Sequence, residues 1–364
     1  MKLLIGGDVS VADSAELFAK GEVKTLFNDV ADEFKKADEV IVNLECAVTD
    51  KQTEIKKFGP CLKAPFGTVE ALEKAGVTRC AISNNHIFDF GSVGAKDTLE
   101  ELDKNGIEWT GFGEDDLSAR KNMILTDRRV KVAVIAVCEH EYSYALPDRM
   151  GVREYDSYDT NEDIAEAKKS ADFVVVLYHG GKELCRYPSP RLRKLCRSMV
   201  KHGADAVLCQ HSHCIGCYEN FENGHILYGQ GNFHFIKTEL AGNEATRAKW
   251  NNGFLVELDF GKTCEIGFKP VVVDGLGIRF ANQAENKEIM DGFAKRNEEL
   301  ASGEWREGWH EFCLSMQEIY EQAVQSYGKE QSERNRHWFA HYLDCEAHTD
   351  VWRELFPTWN KTNQ

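Results

Sequence analysis

Five short apolar runs in this chain end in residues that can hold a cation or move a proton. Lys2–Gly6 leads to Asp8, and Glu39–Val42 to Asn43 and Glu45. Arg79–Ile82 leads to Asn84, Asn85 and His86, and Asp172–Tyr178 to His179. Ala206–Cys209 leads to His211 and His213. Carboxylate, carboxamide and imidazole donors together suit borderline divalent metals such as Mn, Fe or Zn. A lone histidine after a strand is ordinarily a hydrogen-bonded structural residue. A succession of donor-terminated runs points instead to one shared site for one or two divalent ions.

The elements that must position these residues follow from the pattern between them. Continuous apolar runs of this length read as strands buried on both faces. Helix-like stretches separate them at Val23–Lys36, Gly67–Ala75, Val93–Asn105, Glu162–Ser170 and Arg191–Gly203. Gly76, Gly106 and Gly203 close several of these helices. Such alternation builds a layered α/β fold with parallel strands. In that class ligands bind at the carboxyl ends of the strands. The later runs His225–Tyr228, Gly253–Phe260 and Cys264–Val273 lack helices between them and read as antiparallel edges or hairpins.

Strand signals vanish after Ala281. Trp305, Trp309, Phe312, Met316, Ile319, Tyr320, Ala323 and Tyr327 then follow helical spacing. The chain therefore divides into an α/β domain over residues 1–280 and a helical extension over 281–364. The extension is expected to pack its aromatic stripe on the body, or on a second copy in a homo-oligomer.

Composition removes several function classes. The 364 residues carry 44 Lys plus Arg against 60 Asp plus Glu, a net charge of −16. Such a chain repels nucleic acid and anionic lipid. The apolar runs near Val130–Val137 and Phe173–Tyr178 fall far short of the roughly 20 residues that cross a bilayer. The start, MKLLIGGDVS, reaches an Asp too soon for a signal peptide. The expectation is a soluble cytoplasmic protein without membrane insertion, whose 12 cysteines are reduced thiols.

GGDVS, VNLEC, SNNHIFDFG, YHGG, QHSHCIG and YGQGNF stand in this order along the chain. In this the sequence resembles the CapA family of capsule and poly-γ-glutamate synthesis proteins, a branch of the calcineurin-like metallophosphoesterases. The likeness runs from Met1 to about Val273. It implies a four-layer α-β-β-α sandwich. It also implies a metal site in which Asp8 and His213 serve one ion, Asn85, His179 and His211 the other, and Glu45 bridges. By the same likeness His86 is the catalytic residue, donating to a non-bridging oxygen or protonating the leaving group, and Asp89 orients it. Asn43, Asn84 and Asn232 are expected to face substrate, and Arg186 to hold its negative charge. Two positions depart from the superfamily pattern. Ser10 stands where an imidazole ligand is usual, which weakens the Asp8 side unless Asp13 swings in. Gln210 stands where a Gly usually precedes the H-x-H pair.

The implied activity is metal-assisted hydrolysis of a phosphoester or an anionic polymer linkage, a γ-glutamyl amide included. The alternative is a non-catalytic metal- or polymer-binding assembly component of capsule or polyglutamate synthesis. The partner in either case is an anionic small molecule or polymer. Cys214 and Cys217, and the helical set His337, His341, Cys345 and His348, read as packing rather than as further metal sites. Glu139, His140 and His234 stand at the outer margin of the expected site.

Overall fold

The computed structural model describes residues 1–127, 130–239, 243–329 and 332–357. Its strands alternate between two apolar faces. Leu3, Ile5 and Ile41 point into a core shared with Val132, Val134, Val175, Leu177 and Leu208. Leu4, Val9, Val40 and Val42 point the other way, against Phe18, Phe34, Leu72 and Leu102 of the first helices. Ala133, Ile135, Val174, Val176 and Val207 likewise face Leu192, Leu195 and Met199. Two face-to-face sheets, each covered by helices on its outer side, make the four-layer α-β-β-α sandwich, and explain why the strands are apolar on both faces.

The first sheet runs Gly277–Phe280, Cys264–Asp274, Asn252–Phe260, Lys2–Ser10, Glu39–Leu44, Arg79–Ala81, Glu108–Thr110, with Asn232–Phe235 also paired to Lys2–Ser10. The second runs Tyr218–Phe221, Gly224–Leu227, Ala206–Gln210, Phe173–His179, Lys131–Cys138, Met123–Thr126. The strands bearing donor residues pair in parallel within each sheet. Their carboxyl ends therefore share a rim.

Three local expectations change. Val23–Lys36 is not one helix but Val23–Phe27 and Val30–Phe34. Asn28 breaks it with a positive φ of 42°, its side chain donating to the Ile278 carbonyl at 2.9 Å. The His225–Tyr228 run, formed as Gly224–Leu227, pairs in parallel with Ala206–Gln210 on one side and closes a hairpin on the other. The GNF segment is a strand, Asn232–Phe235, parallel to Lys2–Ser10. Gly7 permits this pairing: a Cβ there would lie 2.3 Å from the Gly231 carbonyl oxygen.

Beyond Phe280 the described residues are helical: Gln283–Ser302, Trp305–Lys329, Glu333–Asp344 and Glu346–Leu355. Phe293 enters the inter-sheet core against Phe254 and Phe268, with ring centroids 5.0 and 5.1 Å away. Trp305, Trp309, Tyr320 and Ala323 bury against the outer face of the second sheet, while Ile319 and Tyr327 of the same stripe stay exposed. Trp359 lies outside the described residues. Among the described residues no helix is long and apolar enough to cross a membrane. All twelve cysteines are free thiols.

Candidate metal centre

The strand ends converge. Glu45, His179 and His211 offer ligand atoms all within 4.8 Å of one another, and so do Asp8, Glu45 and His213. Asn85 Oδ1 is 3.0 Å from His179 Nε2, which lies 3.5 Å from Glu45 Oε1. His213 Nε2 approaches the same oxygen at 3.8 Å. All six residues are buried. Backbone geometry contributes: His211 and His213 hold positive φ angles of 76° and 51°. Such strained conformations persist only where surroundings enforce them. Asp8 Oδ2 does so here by accepting from the His211 backbone N–H at 2.9 Å.

The three asparagines expected to face substrate are each hydrogen-bonded within the protein. Asn84 donates to Asn43 Oδ1 and the Leu44 carbonyl, and accepts from the N–H groups of His86 and Ile87. It ties the Asn85–His86 turn to the Glu39–Leu44 strand end. Asn43 donates to Asp8 Oδ1 at 2.8 Å and faces His179 Nδ1 at 3.1 Å. Asn232 donates to the Trp250 carbonyl, so its oxygen accepts from His213 Nδ1 at 2.8 Å. That contact leaves the lone pair of neutral His213 on Nε2, turned toward Glu45. Asn232 thus holds His213 as outer partners of metal-binding histidines do, whereas Asn43 presents its amide nitrogen to His179 Nδ1 and fixes Asp8.

Electrostatics fit a cation. Both Glu45 oxygens are buried with no hydrogen-bond partner among the described residues. A buried carboxylate without a partner is costly, and a bound cation is what relieves it. Burial pushes Glu45 well above the usual carboxylate range. Burial, and then the Glu45 charge, push Asp8 up to about 7. Burial lowers His179 and His211 to about 4 and holds His213 well below the usual imidazole range, so the three imidazoles are neutral at pH 7 and able to ligate. The donor set therefore fits one or two divalent ions shared through Glu45.

His86 lies beside this centre. Its Nδ1 is 2.6 Å from Asp89 Oδ2, which also accepts from the Leu62 N–H at 2.7 Å, while Asp89 Oδ1 pairs with Lys57. Nδ1 therefore holds the ring proton and Nε2 is left as an acceptor. Burial, and then the Lys57 ammonium, lower His86 to about 4. The uncharged ring accepts a proton before it can give one, which refines the expected donor role.

His86, Asn85 and His211 line a cavity of about 290 Å³ that Lys57, Glu141, Tyr142, Lys182, Glu183, His341 and His348 also line. Glu141 Oε2 is 3.8 Å from His211 Nε2. None of these seven follows from a strand-end pattern. The signals that existed were a polar turn after Lys131–Cys138 and the histidine spacing near His341, which read as packing.

Other expected neighbours lie elsewhere. Arg186 does not line the cavity; its carbonyl accepts from Cys217 Sγ and its Nε is buried. Asp13 does not swing in, because Thr238 holds it at 2.5 and 2.6 Å. Ser10 is buried in the strand with no imidazole in its place. Gln210 reaches across the sheets to the Gly6 carbonyl at 3.4 Å. Cys214 and Cys217 donate to carbonyls, and burial raises both thiols. His234 packs between Phe18 and Phe27, His140 pairs with Glu154, and Glu139 caps the Gly181 N–H.

Residues spanning 58% of the chain are 31% identical to the capsule biosynthesis protein CapA of Bacillus anthracis, over 53% of that protein. The PGA biosynthesis protein CapA of Bacillus subtilis is also 31% identical, over 58% of this chain and 57% of its own. The chain thus spans little more than half the length of these curated relatives. A 5'-nucleotidase precursor structure from Thermus thermophilus superposes with a TM-score of 0.45 at 13% identity, covering 81% of this chain and 58% of that one. The family model described as bacterial capsule synthesis protein PGA_cap matches residues 2–237, well over half of the sequence, and the chain belongs to that family.

Proposed function

We propose that this chain is a metal-dependent hydrolase acting on a phosphoester or an anionic polymer linkage in capsule or poly-γ-glutamate synthesis. One observation carries the reading: the cavity opens beside the ligand cluster and is lined by His86, whose proton sits on Nδ1. A purely structural metal site is closed by its ligands, whereas a hydrolytic one keeps an approach.

A divalent ion held by Asp8, Glu45, Asn85, His179, His211 and His213 supplies Lewis acidity toward a phosphoryl or carbonyl oxygen. The chain's own residues do the rest. Asn43 fixes Asp8, and Asn232 fixes His213. His86 Nε2 takes up a proton in the cavity, and the ionic Lys57–Asp89 pair behind Nδ1 steadies the ring as its charge changes. The same nitrogen then returns the proton to the leaving group. The twelve free thiols support a reducing, cytoplasmic setting.

The alternative, a non-catalytic assembly component, is favoured by Ser10, which removes an imidazole from the Asp8 side. Elemental analysis of the purified protein, combined with phosphomonoester, phosphodiester and γ-glutamyl substrate panels, tests the choice. Stoichiometric metal with turnover supports hydrolysis. Stoichiometric metal without turnover on any panel supports the assembly role.

A further inference from the structure

The C-terminal helices reach the metal centre. His341 and His348, from Glu333–Asp344 and Glu346–Leu355, line the same cavity as Asn85, His86 and His211. They lie beyond residues 2–237, the stretch matched by the family. Their placement is secured on the body. Ser189 Oγ donates to Asp350 Oδ2 at 2.6 Å, Arg191 Nε donates to it at 2.9 Å, and the His140 N–H donates to Glu346 Oε2 at 2.8 Å.

His348 is also held from behind. The Tyr342 ring stacks on it with centroids 4.0 Å apart, and the Tyr320 hydroxyl lies 2.6 Å from Nδ1. Tyr320 is fully buried, and among the described residues that nitrogen is the partner of its hydroxyl. A buried hydroxyl that fails to donate leaves an unsatisfied proton, so the O–H donates and Nδ1 accepts. The neutral ring then carries its proton on Nε2. No described residue pairs with that N–H, and His348 lines the cavity.

We propose that His348 Nε2–H, supplied by the C-terminal extension, is a substrate-recognition donor that binds an oxygen of a compact oxyanion seated against the metal centre. This rests on the reading that the cavity receives substrate. Lys57 and Lys182 line it and favour an anion; Glu141 and Glu183 line it too and oppose one. Anion binding should therefore require the metal. A volume of about 290 Å³ accommodates a single phosphoryl or carboxylate-bearing group beside the metal centre.

Calorimetric titration of the manganese-loaded full chain with inorganic phosphate, and separately with glutarate, tests this. Wild-type protein is expected to bind at least one, and the responding probe identifies phosphoryl or carboxylate recognition. His348→Ala should weaken binding about tenfold or more, the usual loss for a hydrogen bond to a charged group. His348→Gln, whose amide nitrogen falls near the position of Nε2, should retain most of the affinity. Tyr320→Phe, which frees the tautomer, should cost a few-fold. Metal content is measured in every variant, and the Gln and Phe variants carry the test if the Ala variant misfolds. Unchanged affinity in His348→Ala with metal intact, or binding of neither probe by wild-type protein, overturns the proposal. His348-dependent binding without turnover on any substrate panel leaves it standing and removes only the hydrolase reading.

Discussion

On one side of Glu45 the candidate ligands are Asp8 and His213; on the other they are Asn85, His179 and His211. The sides share a carboxylate but differ in how many donors they offer, two against three. Asp8 already accepts from Asn43 at 2.8 Å and from the His211 N–H at 2.9 Å. Position 10 adds no imidazole. On the opposite side Asn85 Oδ1 and Glu45 Oε1 lie 3.0 and 3.5 Å from His179 Nε2, and Glu141 stands by His211. Both sides hold donors that are already hydrogen-bonded, Asp8 and Asn85 alike, so the asymmetry rests on donor number and on the missing imidazole at position 10. The Asp8 side should therefore be the weaker half, and the Asn85 side the one that fills first.

The largest effect is expected at the shared residue. Glu45→Gln should empty both halves and abolish turnover, as read by elemental analysis and the substrate panel; retention of either ion would show that the halves are independent. Next is His86→Ala, which should spare metal content and lower turnover by about 10²–10⁴-fold. Equal metal loss in that variant would make His86 a ligand. Asn232→Ala removes the acceptor for His213 Nδ1 along with a bond to the Trp250 carbonyl, and should weaken the Asp8 half by about 10–100-fold while sparing the other. Loss at both halves in a metal titration would erase the distinction drawn here.

Acidity separates the halves more gently. Asp8 is raised to about 7, whereas His179 and His211 are lowered to about 4. A metal needs the deprotonated ligand, so protons compete with both halves at the shared Glu45, which burial raises well above the usual carboxylate range, and with the Asp8 half at Asp8 as well. Affinity of the Asp8 half should therefore fall more steeply as pH drops through about 7, by up to about tenfold per unit for the extra displaced proton. Protons reach His179 and His211 only near pH 4. Equally steep decline of both halves between pH 8 and 6 in calorimetry would count against the asymmetry. The smallest change is Ser10→His, which should tighten the Asp8 half if the buried strand end admits the ring. Two equally tight sites in unmodified protein would show that the missing imidazole is already compensated.

Much of the body was legible because its signals are local. A buried strand writes its own apolar run, and a donor at the end of a parallel strand inherits a place on the rim. Asp8, Glu45, Asn85, His179, His211 and His213 met for that reason. Asn28 was missed because a helical pattern on both sides hides one residue with positive φ. Lys57 was missed because its loop has no period, and its ammonium meets Asp89 and His86 only in the folded chain.

By itself the sequence determined the layered α/β class, the ligand types, the helical tail and the family likeness. These rest on periodicity and on residue chemistry, which neighbours in the chain express. Only the tertiary structure decided that Asn43, Asn84 and Asn232 are hydrogen-bonded into the wall around the site, that Arg186 lies off the cavity, and that His341 and His348 line it. Those outcomes depend on which polar atoms find partners across the sheets and on how the tail docks. Hydrogen-bond satisfaction and burial belong to neighbours in space, and no spacing along the chain encodes them.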